Sequence, residues 1–159
     1  MICPHCGARY AGEVECEERF HLALALELEN PTTFGAVHHY TVSCYMLQHD
    51  GYSAPAWLEV RAMVVRFLRE GIPPREMARR RRPLYDQACR TWSVTEGERL
   101  PGLGTIHWTR TIADVRFDDV GTYCADVRRW AEAVVADTEE HVRRLGLDRS
   151  QRSVEPTHR

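Results

Sequence analysis

Cys3 and Cys6, in the run Cys3-Pro4-His5-Cys6-Gly7, are followed after a short gap by Cys16. Two thiolates separated by two residues grip one soft divalent ion from a tight turn, and a third sulfur soon after supplies most of a tetrahedral shell. The pattern is that of a zinc knuckle in need of a fourth donor. A redox role for the same cysteines fits less well, because catalytic dithiols sit where a strand runs into a helix, and no such unit precedes Cys3.

A second group of side chains has the chemistry of proton transfer. Glu27 falls within an otherwise apolar face, and His38 and His39 follow within a dozen residues. A carboxylate removed from water needs a partner. An inert ion pair with a histidine or one of the many arginines would satisfy it. So would an acid–base pair of Glu27 with His38 or His39, or a metal held by Glu27, His38 and a donor from the His107–Asp114 stretch.

The elements that must position these groups are helical. Cys16 to Asn30 has helical composition and stops before Pro31. At about 100° per residue, Phe20, Ala23, Leu24 and Glu27 cluster on the side of Cys16 while His21 points away. Val37 to His49 is apolar nearly all round, as a buried helix is, and ends at Asp50-Gly51. Ser53 is placed to cap a third helix with its stripe at Trp57, Val60, Val64, Phe67 and Leu68 and its stop at Gly71. Pro74 opens a fourth that runs toward Trp92 and is kinked or broken at Pro83. Residues 93–116 read as irregular, with one short extended segment in Thr105–Val115. Asp118 caps a long last helix with a stripe at Val120, Tyr123, Cys124, Val127, Trp130, Ala131, Val134, Val135, Val142 and Leu145, closed by Gly146. The expected fold is therefore mainly α, a compact domain of about five helices over residues 1–146 with an N-terminal zinc knuckle, and residues 147–159 form a flexible tail.

This arrangement selects the fourth ligand. A connection of about seven residues between the first two helices favours antiparallel packing, which brings the start of one beside the end of the other. Cys16 and His49 become neighbours there, and the knuckle folds back to the same end. Cys3, Cys6, Cys16 and His49 then form a closed Cys3His shell, structural by default. His38 and His39 are the alternatives. His5 is cramped between two cysteines, and His21 faces outward. The opposite end of the same hairpin places Glu27 beside His38 and His39.

Other features exclude more than they propose. The 159 residues carry a formal charge of −2, so no global field draws the chain to nucleic acid or to an anionic membrane. All 21 basic residues are arginine, a bias that weakens any argument from arginine counts. The run Arg79–Arg82 reads as a solvated face, and a nucleic-acid-binding zinc ribbon would need a second CxxC. No apolar run reaches the roughly 18 residues of a membrane span, and a secretory signal is not evident after Met1, so a cytoplasmic protein is expected. A reducing compartment turns the six cysteines toward metal ligation or burial rather than disulfides. Cys44 and Cys124 read as core thiols, Cys89 has no activating neighbour, and Trp108 reads as a core anchor that can also line a pocket.

Taken together, Cys-Pro-His-Cys-Gly, Cys16-Glu-Glu-Arg-Phe20, His38-His39-Tyr-Thr-Val-Ser-Cys-Tyr45-Met-Leu-Gln48-His49, Trp108-Thr-Arg-Thr111-Ile-Ala-Asp114-Val115, Tyr123-Cys124 and Val127-Arg-Arg-Trp130-Ala131 resemble an uncharacterised bacterial domain-of-unknown-function family over most of residues 1–136. The resemblance implies a metal-associated helical domain in which Cys3, Cys6, Cys16 and His49 belong to one unit, and it implies no activity. Two expectations follow. The first is a zinc-stabilised accessory protein that binds a small molecule or another protein. The second is a zinc-dependent enzyme of specialised metabolism, acting at an open zinc position or at Glu27, His38 and His39.

Overall fold

The computed structural model describes residues 1–12, 15–71 and 93–146. Among them the chain is mainly helical, with four α-helices and no strand beyond an isolated antiparallel bridge between Ile2 and Arg9. The helices are α1 (Cys16–Glu29), α2 (His38–Gln48), α3 (Ala54–Glu70) and α4 (Val120–Arg144). The helix expected between Pro74 and Trp92, with Arg79–Arg82 and Cys89 on it, and the tail 147–159 lie outside the described residues.

Helix α1 ends where Asn30, ahead of Pro31, turns its amide N–H and its side-chain amide onto Leu26 O. A short 3₁₀ turn, Phe34–Val37, leads directly into α2. That turn lies against the α1 backbone at Gly35, where a Cβ would stand 2.9 Å from Glu27 O, so only glycine permits the approach. Helices α1 and α2 then run antiparallel. Cys16 faces His49, the Phe20 and Tyr45 rings stack at 3.8 Å, and Glu27 meets His38. The two residue numbers of each pair have the same sum, as antiparallel pairing in fixed register requires.

Helix α2 packs against all three other helices, and the core forms around it. Trp57 of α3 and Trp130 of α4 are fully buried. Each removes enough apolar area to contribute roughly 4–6 kcal/mol before conformational entropy is charged against it. Neither indole N–H is orphaned: Trp57 donates to Leu47 O at 3.0 Å, and Trp130 to Gln48 Oε1 at 3.0 Å. Gln48 in turn donates to Arg110 O at 2.7 Å, tying the irregular stretch after residue 93 to α2.

That stretch is built from two 3₁₀ turns, Leu103–Thr105 and Ile112–Asp114, rather than from a β-segment. Its extended residues have no strand alongside among the described residues, and Thr111 and Asp114 form a capping box that bends the chain instead. Arg19 of α1 fastens it from below, donating to Ile112 O and Val115 O. The N-cap of α4 is Asp119, not Asp118. Only Asp119 reaches an unsatisfied amide of the first turn, accepting from Thr122 N at 2.9 Å. The α4 stripe is buried at Tyr123, Val127, Trp130, Ala131, Val134 and Val142, while Val120 is exposed. Two polar residues also lie on the buried face. Thr138 bonds back to Val134 O and accepts from Arg61, and Asp126 accepts from Arg116 and Arg129. Among the described residues no helix is long and apolar enough to cross a membrane.

Candidate functional site

The amino-terminal head is a miniature hairpin. Met1 and Tyr10 exchange both backbone bonds at 3.0 Å, Cys3 N donates to Ala8 O, and Gly7 N donates to Cys3 O. Gly7 has φ +74°, the left-handed conformation that returns the chain just after Cys6. The turn aims the Cys3 and Cys6 sulfurs at the junction between the start of α1 and the end of α2. There the ligand atoms of Cys3, Cys6, Cys16 and His49 lie within 4.8 Å of one another.

The geometry suits one metal ion. A tetrahedral ion with metal–sulfur bonds of about 2.3 Å separates its sulfurs by about 3.8 Å. Cys6 Sγ and Cys16 Sγ are 3.5 Å apart, and Cys3 Sγ is 3.6 Å from His49 Nε2. His49 is already set for coordination: its Nδ1 lies 2.8 Å from Tyr45 O, so Nδ1 carries the proton and donates, leaving the Nε2 lone pair toward the sulfurs. The ring is held between Tyr45, stacked at 4.1 Å, and His5, tilted at 5.8 Å.

Protonation favours a cation in the same place. Cys16 is lowered to about 4, chiefly by its hydrogen bond with Cys6, with further help from His49 and Tyr10. The Cys6 thiol is pushed strongly upward by that shared bond and by burial. The Cys6–Cys16 pair thus shares one proton and carries one negative charge, and a divalent cation bound there would take the place of that proton. Tyr10, unremarked in the sequence, brings its hydroxyl to 3.1 Å from Cys16 Sγ. Its signal was spacing alone: it closes the hairpin six residues before Cys16.

At the other end of the α1–α2 hairpin, Glu27 is 2% exposed and accepts three hydrogen bonds. Thr41 Oγ1 and Tyr123 OH donate to Oε1 at 2.5 and 2.6 Å, and His38 Nδ1 lies 2.7 Å from Oε2. The His38 side chain is 56% exposed, and no hydrogen bond engages its Nε2 among the described residues. His39, one residue on, turns to a different surface: its ring packs on Phe67 at 4.6 Å and Tyr40 at 4.0 Å. Burial lowers it to about 4, with the neighbouring His38 adding to the effect. Asp114, from the stretch expected to offer Glu27 a further donor, is occupied in its own capping box.

Thr41 and Tyr123 were not foreseen as partners of Glu27. Thr41 lies one helical turn after His38, a spacing that placed it on the same face. Tyr123 comes from 96 residues away, and no local pattern points to it. Burial raises the Tyr123 hydroxyl, and the Glu27 carboxylate raises it further. Of the remaining cysteines, Cys44 is fully buried and its thiol is pushed up by burial alone. Cys124 is half-buried, with Sγ 3.7 Å from Thr33 O.

Residues 1–139 match the model of a family of unknown function, DUF5946. No curated protein and no solved structure matches the chain.

Proposed function

The chain belongs to DUF5946, a family of unknown function, and from the geometry of this member we propose a zinc-stabilised cytoplasmic accessory protein that binds a small molecule or another protein. The observation that carries this reading is the convergence of three sulfurs and one imidazole, from three separate segments, on one point. Three thiolates with one imidazole suit zinc better than harder cations, which take oxygen ligands. Cys3, Cys6, Cys16 and His49 would hold the ion with four protein donors, enough to fill a tetrahedral shell, and its contribution would then be that of a staple. It joins the head, α1 and the end of α2, and residues 1–146 fold as one zinc-binding domain. The bound ion supplies charge neutralisation and cross-linking. The protein supplies the turn at Gly7, the antiparallel register and the tautomer of His49.

Elemental analysis of untagged protein, with thiol counting before and after chelation, tests the reading. One zinc per chain and three thiols that become reactive only on chelation are expected. A folded protein that carries no zinc and whose thermal unfolding ignores chelator would overturn it.

A second reading, catalysis, has its own observation in the Glu27–His38 dyad. With Nδ1 donating to a buried carboxylate, Nε2 of the largely exposed His38 side chain becomes the basic nitrogen, the arrangement a general base needs. The closed Cys3His shell argues against an open zinc position, so a metabolic enzyme would work at Glu27 and His38, with His39 taking no direct part. Nitrogen NMR of the His38 ring, at a pH where it is neutral, tests the arrangement: an Nδ1–H tautomer supports it, and an Nε2–H tautomer sinks it.

A further inference from the structure

A cavity of about 330 Å³ lies beside the metal centre, within the size range of small-molecule sites. Pro4 and His5, the two residues between Cys3 and Cys6, form one wall. The end of α2 forms another, and Arg99, Leu100, Gly102, Leu103, Gly104 and Trp108 line the remainder of a half-open space. Its apolar surfaces come from Leu47, Leu100, Leu103 and Trp108.

Two charged side chains on the lining are incompletely satisfied. Asp50 Oδ1 is buried and accepts no hydrogen bond, while the side chain as a whole is 45% exposed, so the carboxylate is partly solvated. Its nearest cation is Arg99, whose Nε stands 3.7 Å away, beyond hydrogen-bond reach. Arg99 is itself anchored by one bond, Nη1 to Thr95 O at 2.8 Å, and its other donors are uncommitted. Asp50 also has φ +56° although glycine follows it, and it is the one non-glycine residue with positive φ among the described residues. Gly51 would take that conformation at lower cost. The left-handed residue belongs to the helix stop, where Gly51 N closes onto Met46 O at 3.0 Å, and it sets the Asp50 carboxylate beside the Arg99 guanidinium on the cavity lining.

From this pairing we infer that the cavity binds an α-amino acid with an apolar or aromatic side chain. Such a molecule carries an ammonium and a carboxylate on one carbon. These adjacent charges match an adjacent carboxylate and guanidinium: the ammonium donates to Asp50, and the ligand carboxylate accepts from Arg99. The apolar group then lies against the leucines and Trp108. This inference rests on the small-molecule form of the reading above and names its ligand class. Because the knuckle supplies a wall, the ion that holds the knuckle would also hold the site.

Calorimetric titration of the zinc-loaded protein with L-phenylalanine, L-leucine and L-tryptophan tests it, alongside 3-phenylpropionate and phenethylamine, which each keep one charge. At least one of the amino acids should bind, and for L-phenylalanine each single-charge analogue should bind about tenfold more weakly or worse. Asp50→Gly relieves the backbone strain while deleting the carboxylate, so it should remain folded and lose about tenfold or more in amino-acid affinity. Arg99→Gln should do the same. The inference is overturned if no amino acid binds at millimolar concentration, if an analogue matches L-phenylalanine, or if Asp50→Gly binds as tightly as the parent. Zinc content measured on the same samples separates the two failures: full zinc without binding sinks the cavity assignment alone, whereas absent zinc sinks the structural reading.

Discussion

Replacing Glu27 by glutamine separates the two ends of the α1–α2 hairpin. The carboxylate accepts from Thr41, Tyr123 and His38 at 2.5–2.7 Å in a buried setting. Hydrogen bonds to a charged acceptor contribute roughly 1.5–3 kcal/mol each, against about 1 for neutral pairs. Glutamine can keep its oxygen toward Thr41 and Tyr123 and turn its amide toward His38, which must then accept at Nδ1. All three bonds survive in weakened form, a gross loss of about 3 kcal/mol. The desolvation cost of the charge disappears with it, so the net destabilisation should be about 1–3 kcal/mol. Glu27→Ala leaves the Tyr123 hydroxyl unsatisfied beside a cavity, while Thr41 can still donate to Val37 O, and should cost about 3–5 kcal/mol, a large fraction of the stability of a domain this size. Urea unfolding gives the free energies, and elemental analysis on the same samples gives the metal. Glu27→Gln should unfold at lower urea with an unchanged slope and full zinc. Loss of zinc in this variant would refute the independence of the two ends, and an unchanged midpoint would refute the hydrogen-bond reasoning.

Cys3→Ser should abolish stoichiometric zinc and lower the thermal midpoint, and His49→Ala should do the same; full metal retention in His49→Ala would exclude His49 as the fourth ligand. Asp126 is lowered from its ordinary 3.8 to about 2, chiefly by Arg116. A depressed carboxylate contributes stability that is present above its unfolded value and lost as pH falls through the folded one. Its share should therefore disappear between about pH 4 and pH 2; it is about 1–2 kcal/mol because both arginines are more than half exposed to screening solvent. Asp126→Asn should flatten that limb of the acid titration, and an unaltered limb would contradict the assignment. His39 is lowered from 6.5 to about 4, so the unfolded chain takes its proton first and stability should decline from pH 6.5 toward 4 by up to about 3 kcal/mol. His39→Phe, which keeps an aromatic ring against Phe67, should remove that component, as urea midpoints measured across the range would show.

Much of the site was legible because helical periodicity and a short connection are local properties. Cys16 and Glu27 lie on one face of α1 by the 3.6-residue repeat, and the turn before α2 forces an antiparallel return. Those two facts suffice to place His49 near Cys16 and His38 near Glu27, whichever residues surround them. Cap positions were legible to within one residue, since either Asp118 or Asp119 satisfies the pattern and only backbone geometry distinguishes them; Ser53 holds the N-cap position of α3, but its hydroxyl donates to Ser93 O instead of capping the helix. The extended segment in Thr105–Val115 misled because β-branched composition records a preference, and a strand also needs a partner to accept its backbone bonds. His38 and His39, adjacent in sequence, differ by about 100° around the helix, so that one meets Glu27 and the other Phe67.

The types and spacing of Cys3, Cys6, Cys16 and His49, and the helices that carry the last two, were determined by sequence alone, because a ligand's identity is covalent and a helix sets its own repeat. Tertiary structure alone decided what completes and surrounds them. Tyr123 reaches Glu27 across 96 residues, Gln48 links Trp130 to Arg110, and Asp50 meets Arg99 beside the knuckle. These contacts join segments far apart in the chain. They depend on how the helices pack and where the irregular stretch between α3 and α4 comes to rest, which no local repeat encodes.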